Sequence, residues 1–395
     1  MQLQILTSVN ELREHAAAWD RLWRRSLATT PTCQSEPLAV WIESFAPTAA
    51  LALLVVRDGD QWLATLPLVE HTRLPGVSIG RLPNNEWALC GDLAIEPQCD
   101  VAVVCRELAS GMRRLGWPLA KFDGIRAARA DWQALLQAIK LEGLPTCYHD
   151  LWEVGEIAIA HDWQRYLESR SRNLRRQIKR SNERLQSAGE AELKIYSQPL
   201  PHELESLLRR GFEVEQRSWK SDRGSAVLQL PDVFDFYCRQ ARALAATGSL
   251  ELVYLDLQGR SIAFEYGLKA KGVYFSPKVG YDEEFADFSP GQQLRARLYQ
   301  QFQDDPARSA VDFHGPLAEA TAKWATGAYR VGRLLVGLNQ SSGRALVEGY
   351  RWSRCGYQFM KQRLRRQQQF AVRPLEGEPA APVVSSPELE SVGSA

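Results

Sequence analysis

The sequence offers little for metal, disulfide or redox chemistry. It has seven cysteines: Cys33, Cys90, Cys99, Cys105, Cys147, Cys238 and Cys355. Their number is odd, their spacing is irregular and no CxxC occurs, which argues against a disulfide framework and a cysteine-rich zinc site. The six histidines are scattered, with no HxxxH or HExxH, so no metal is expected. What remains is reduced thiols, partly in the core. A Cys–His nucleophile pair has no local signature. Net charge is nearly absent as well. Lys and Arg total 48 against 47 Asp and Glu, so no global field steers nucleic acid. No apolar run approaches the roughly 20 residues that span a bilayer. The start, MQLQILTSVNELREH, places acids and bases where a secretory signal needs an apolar core. A soluble, cytoplasmic chain with no transmembrane segment is expected.

What is present is globular. Hydrophobic residues make up 45% and charged residues 24%, which excludes disorder of the whole chain, and 395 residues suit two domains. Four pieces are read: α/β units over 1–155 and 160–340, a basic helix over 343–370, and a tail over 374–395. The tail, PLEGEPAAPVVSSPELESVGSA, has four Pro, four Glu, no aromatic residue and no Lys or Arg. Such a composition buries too little to offset ordering, so disorder is expected there.

In the first unit, strand-like LQILTS precedes a helix, VNELREHAAAWDRLWRRSL, with Ser8 or Asn10 as N-cap. A second helix covers PLAVWIESFA. LALLVVRDGDQWLATLPLVEH then reads as two strands with a turn at Arg57-Asp58-Gly59-Asp60. The second unit repeats the plan. One helix, DWQRYLESRSRNLRRQIKRSNERLQSAG, ends at Gly189. The strand AELKIYS and helices HELESLLRRGFEVEQRSW and PDVFDFYCRQARALAATG follow. SLELVYLDLQGRSIAFEYGLKAKGVYFSPKVGYD reads as three strands turning at Gln258-Gly259 and Lys271-Gly272. Helix SPGQQLRARLYQQFQ, strand SAVDFHG, helix LAEATAKWAT and strand AYRVGRLLVGL close the unit. The two hairpins LLVVRDGDQWLATLPLVE and LVYLDLQGRSIAFEYGLK suggest an internal duplication, although any hairpin resembles another.

Charge concentrates in one place. Between 162 and 188 stand eight Arg and Lys and three acids. At about 100° per residue, Trp163, Leu167, Leu174, Ile178 and Leu185 form an apolar stripe. Arg165, Arg172, Arg175, Arg176, Lys179 and Arg180 fall opposite. Arg170 lies within the stripe and requires an internal partner. The basic face suits an anionic ligand and equally describes a solvated surface.

Five features occur in order in the second unit: the helix SRNLRRQIKRSNERLQSAGE; EQRSWKS with Trp219; the triple-strand run; FSPGQQL opening a helix; and DFHGPLAEATAKWAT. This order resembles the BioF2-like acetyltransferase family, a branch of the GNAT superfamily that includes CelD-like proteins of cellulose biosynthesis. The family is akin to the Fem-type aminoacyl ligases, which have two GNAT-like domains in tandem. The resemblance covers roughly 160–335. It implies an α/β fold with a mixed sheet in three α/β/α layers, and tandem GNAT-like domains. It implies acyl transfer from acetyl-CoA or another acyl-CoA co-substrate to an amine, on a small molecule or linked to a glycan. The cofactor would sit on Ser289, Pro290, Gly291 and Gln292. That turn has one glycine where the superfamily has several, but the first N–H groups of any helix can face a pyrophosphate.

Amine acylation asks for an aligned amine, a base and stabilisation of an oxyanion. Candidates for catalysis are Glu265, Tyr274, Tyr281 and His314, with Glu319 also considered. Candidates for substrate binding are Arg172, Arg176, Asp312 and Lys323. Lys323 and Trp324 match the family's ending, but Ala322 stands where an aromatic residue is expected. Pro277 marks an edge or bulge that would open a slot for a thioester. Two alternatives stay open: a Fem-like transferase using aminoacyl-tRNA, and a binding protein on a GNAT fold without catalysis.

Overall fold

The structure is a computed structural model that describes residues 1–74, 77–218 and 226–364. Trp219, the tail 374–395 and the end of the basic segment beyond Leu364 lie outside the described residues. The first half forms β1 (Gln2–Leu6), α1 (Val9–Glu14), α2 (Ala16–Arg25), α3 (Ser35–Phe45), β2 (Leu51–Asp58), β3 (Gln61–Leu74), β4 (Val77–Arg81), β5 (Ala94–Ile95), α4 (Val101–Arg113), β6 (Leu119–Ile125), α5 (Ala130–Leu141) and β7 (Thr146–Ala158). The second forms α6 (Trp163–Ser169), α7 (Arg172–Ala188), β8 (Ala191–Tyr196), α8 (Leu204–Gln216), α9 (Pro231–Ala246), β9 (Leu250–Leu257), β10 (Arg260–Ala270), β11 (Val273–Tyr281), α10 (Pro290–Asp304), β12 (Ala310–Asp312), α11 (Glu319–Ala322), β13 (Gly327–Gly337) and α12 (Ser342–Leu364).

Thirteen strands make one mixed sheet, ordered β1-β2-β3-β4-β6-β13-β7-β12-β11-β10-β9-β8, with β5 beside β3. Each half has four antiparallel strands and then one parallel neighbour, β4 with β6 and β11 with β12. The last strand of each half is exchanged. β7 pairs with β12 of the second half, and β13 pairs with β6 of the first. β7 and β13 then pair with each other, from Gly327 opposite Glu156 to Val336 opposite Thr146.

Helices cover both faces of the sheet, giving the three layers. One core spans both halves and joins α3 to α8 and α9 through Trp41, Phe212, Phe236 and Tyr237, with the Phe45 and Phe236 rings 4.7 Å apart. On the opposite face, α4 and α5 cover the first half and α10 covers the second. The hairpins turn where the sequence places them. Gln258 and Gly259 have φ of 50° and 80°, and Lys271 and Gly272 have 51° and 79°. Two successive positive φ values are the tight-turn geometry that matches strand twist. Lys271 carries this hairpin tip into the first half. Its Nζ donates to the carbonyls of Ser26 (2.8 Å) and Ala28 (2.6 Å), and burial lowers its pKa to about 8.

The helix expected over 162–188 is two helices. The Ser171 hydroxyl accepts from the Leu174 N–H (3.2 Å) and caps α7 afresh. Just before it the chain bends, and Arg170 turns inward. Its guanidinium donates to the carbonyls of Trp324 and Ala325 and lies 5.1 Å from the Tyr166 ring centre, the internal partners its position demanded. Tyr166 rather than Leu167 is the fully buried residue of α6. The helix expected over VNELREHAAAWDRLWRRSL likewise breaks at His15, with Ser8 as the N-cap.

Candidate functional site

β11 and β12 pair only from Val273–Phe275 to Ala310–Asp312. β11 runs on to Tyr281, so beyond Phe275 no strand flanks that edge and a slot opens. Pro277 lies where the register between β10 and β11 slips, between Tyr266 and Leu268. A proline cannot donate to the ladder, and the bulge absorbs the missing bond. Gly267 is needed here: a Cβ on it would lie 2.1 Å from the Tyr274 hydroxyl.

The start of α10 borders this slot. Ser289 is left-handed (φ 50°) and supplies no side-chain cap, and Pro290 has no N–H to give. The Gln292 and Gln293 N–H groups both reach the Ser289 carbonyl (2.9 and 3.1 Å). The Gly291 N–H donates to no described group. A side chain at Gly291 would have room, since the nearest atom to its Cβ would be Cδ1 of Tyr281 at 3.8 Å. Gln292 is held by the Trp324 indole N–H (2.6 Å), which ties the turn to the Arg170 junction. α7 runs alongside, with Gln177 Nε2 3.5 Å from Ser289 Oγ and Arg184 donating to the Asp287 carbonyl (3.2 Å). Of the acids that precede the turn, Asp282 is paired with Arg217 (2.7 Å) and Arg260 (2.8 Å) and Glu284 with Arg260 (2.6 Å), while Glu283 and Asp287 are exposed with no ion pair among the described residues.

The equivalent place in the first half is closed. There α4 begins at Asp100, whose own carboxylate accepts from the Val103 N–H (3.1 Å). An anion would meet that charge. Between β4 and β6, the Trp117 ring lies within 2.5 Å of where a Gly80 Cβ would be, and the Asn84 amide donates to the Gly91 and Asp123 carbonyls, each at 3.2 Å. Of the two like halves, the second therefore has the open slot.

Beneath α10 lies a buried polar group. Glu265 on β10 is 0% exposed, and neither carboxylate oxygen has a hydrogen bond. The hydroxyls of Tyr274, Ser276 and Tyr299 and Nε of Arg295 are also unsatisfied. Burial pushes the Glu265 pKa up, while Arg295 pulls it down; Ser276 and Tyr274 pull it down slightly, although both lie outside hydrogen-bond geometry. Buried polar atoms without partners are uncommon, and here five residues carry them under one helix.

On the other side of the strand end is a cavity of about 150 Å³ between the halves, lined by Phe275, Asp312, His314, Tyr329, Arg126 and Trp152 among others. Asp312 Oδ2 accepts from the Tyr329 hydroxyl (2.7 Å), and Oδ1 accepts from the His314 backbone N–H (2.7 Å). His314 is held in the left-handed region (φ 56°), and its ring stands edge-on to Phe275, with centres 5.6 Å apart. Its ring nitrogens have no partner among the described residues. Burial lowers its pKa, opposed by Asp312, so the imidazole is a neutral base at pH 7.

The structure thus gathers Asp312 and His314 in one cavity, Glu265 and Tyr274 under α10, and Tyr281 with Ser289–Gln292. Arg172 and Arg176 are exposed on α7, and Glu319 is exposed on α11. Lys323 is half-buried at the end of α11, outside the cavity lining. The sequence reading missed Arg126, Trp152 and Tyr329. Arg126 and Trp152 stand far from DFHG along the chain, Tyr329 lies on β13 beyond α11, and the exchanged strands bring all three to it. Among the described residues no group of His, Cys, Asp and Glu could hold a metal, and no helix is long and apolar enough to cross a membrane.

Residues 172–323 match the family model described as acetyltransferase (GNAT) domain. The match opens with α7 and closes just after α11, so it contains the slot, the α10 turn and the Asp312–His314 segment. This part of the chain is similar to a GNAT acetyltransferase domain. Solved structures show the same fold across both halves. FemX matches with a TM-score of 0.55 at 12% identity, over 85% of this chain and 97% of that one. A conserved protein of unknown function from Bacteroides thetaiotaomicron matches at 0.52 and 11%, over 84% and 99%. The C-terminal DUF2156 domain of an Agrobacterium fabrum protein matches at 0.51 and 13%, over 87% and 96%. Such identities speak to fold alone. No curated protein matches the sequence.

Proposed function

We propose that the second half, residues 160–340, transfers an acyl group from an acyl-coenzyme A to an amine held in the cavity between the halves. The observation that carries this reading is the meeting of two features at one strand end. The slot after Phe275 leads on one side to the free Gly291 N–H, and Phe275, Asp312 and His314 line the cavity on the other. The coenzyme thioester supplies an activated acyl carbon. Its phosphates would face Gly291 and the Ser289–Gln292 turn, with Arg172 and Arg176 of α7 as nearby cations. His314 takes the proton of the amine as nitrogen bonds to the acyl carbon. The carbon–sulfur bond breaks, and the sulfur leaves with its electron pair and gains a proton as free thiol. Asp312 holds His314 through its backbone N–H. Tyr281 lies at the slot mouth, and Glu265 with Tyr274 keeps its wall polar.

Acetyl-CoA or a longer acyl-CoA raises the melting temperature through a stabilisation of about 2.7 kcal/mol at 100 times Kd. Gly291→Glu removes that rise while leaving the unliganded melting temperature nearly unchanged, because a Cβ there meets only an ordinary contact with Tyr281 and only the ligand meets the new charge. No rise with any acyl-CoA at millimolar concentration counts against the reading.

One observation favours a second reading, in which a tRNA carries the acyl group. Arg172, Arg175, Arg176 and Arg180 of α7 are exposed and have no ion-pair partner among the described residues. This predicts tRNA retention on native gels that falls steeply with salt. Retention already lost at about 50 mM salt rejects it.

A further inference from the structure

We infer that the acceptor is a small amine that also carries a carboxylate, and that Arg126 selects it. This rests on the acyl-transfer reading of the same cavity. The cavity, about 150 Å³, is well below the roughly 300 Å³ at which pockets enclose drug-sized ligands. It therefore takes something the size of one amino acid, or only the end of a larger molecule.

Its walls have opposite signs. Two arginines line it, but they differ. Arg129 is spent within the protein, on Asp92 (2.6 and 2.9 Å), Asp131 (2.7 Å) and the Leu93 carbonyl (3.0 Å). Arg126 sits over the Tyr329 ring at 4.2 Å, and its guanidinium donates to no described acceptor. Stacked in this way, a guanidinium keeps its in-plane N–H fork for a ligand, and that fork matches a carboxylate in two parallel bonds. The negative wall is Asp312, bound to the hydroxyl of the same Tyr329 (2.7 Å); Glu156, directly across from it in the β7–β12 pairing, lies behind the lining. Glu156 feels both groups, Arg126 as attraction and Asp312 as repulsion. An amine fits between Asp312 and His314, and a carboxylate fits Arg126. Tyr329 fixes the spacing, since its ring carries the cation and its hydroxyl the anion. An amine without an acid group would leave the Arg126 N–H groups without a hydrogen-bond partner from the ligand.

The test uses the full chain, acetyl-CoA and thiol release with three matched amines: β-alanine, its amide and propylamine. β-Alanine is expected to exceed both others at least tenfold in kcat/KM. Arg126→Gln erases this preference by raising KM for β-alanine, and Arg126→Lys restores part of it. A rise confined to KM separates a binding role from general damage to the fold. Propylamine or the amide performing as well as β-alanine in the native chain overturns the inference and leaves acyl transfer standing. No thiol from any amine overturns the acyl-transfer reading instead. Calorimetric titration of β-alanine and propylamine without donor then decides the inference alone. Tighter β-alanine binding that Arg126→Gln abolishes supports it, and equal or absent binding overturns it.

Discussion

His314→Gln lowers kcat by about 10²–10⁴-fold, the usual range for removing a positioned general base, and leaves the acyl-CoA melting shift in place. Glutamine keeps most of the ring's volume and polarity but cannot take a proton near neutral pH. The pH profile gives an independent check. Burial holds the His314 pKa below its ordinary value, with Asp312 opposing, so the active neutral form persists into acid. The rate rises with pH along an acidic limb centred below about 6.5, the ordinary histidine value, and this limb vanishes in the variant. The same shift bears on stability. Between the folded-state pKa and about 6.5 the unfolded chain binds more protons, so stability falls as pH drops through that window. A kcat within a few-fold of the native value removes His314 from the mechanism and returns attention to Glu265.

Residues 1–160 produced alone do not fold. The sheet of the first half is closed by β13, which lies 200 residues further along the chain. Leu334, Val336 and Leu338 enter its core between β6 and β7 and are almost fully buried. Each such side chain is worth about 1.5–3 kcal/mol, so their sum is a large part of the 5–15 kcal/mol that holds an ordinary domain together. The fragment also bares the β6 edge, a template for aggregation. Insoluble product, or a soluble fragment without a cooperative melting transition, is expected, and production together with residues 161–395 restores both. Cooperative unfolding of the fragment by itself would show that the strand exchange is dispensable.

Much of the fold is legible locally. The Asp58-Gly59, Gln258-Gly259 and Lys271-Gly272 turns, the Pro277 bulge and the helix opening at Pro290 depend on backbone preferences of single residues, so a sequence shows them directly. The breaks at His15 and Ser171 were read through, because amphipathic spacing carries across a break of one or two residues. The capping hydroxyl of Ser171 and the misplaced charge of Arg170 were the visible signals. The site divided in the same way. Asp312 and His314 stand in one short segment and could be named together. Arg126, Trp152 and Tyr329 could not be, because nothing near them reports a common cavity.

The sequence by itself determined the strands and helices of each half, their turns, the Pro290 start of α10 and the residue types that could serve as base. These follow from steric limits and hydrogen-bond needs within a few residues of chain. Only the tertiary structure decided that the final strands cross between halves, that Asp100 and Trp117 close the first half, and that Arg126 meets Tyr329 and Asp312. Those outcomes come from pairing strand edges and filling volume between segments up to 200 residues apart, and no local preference encodes them.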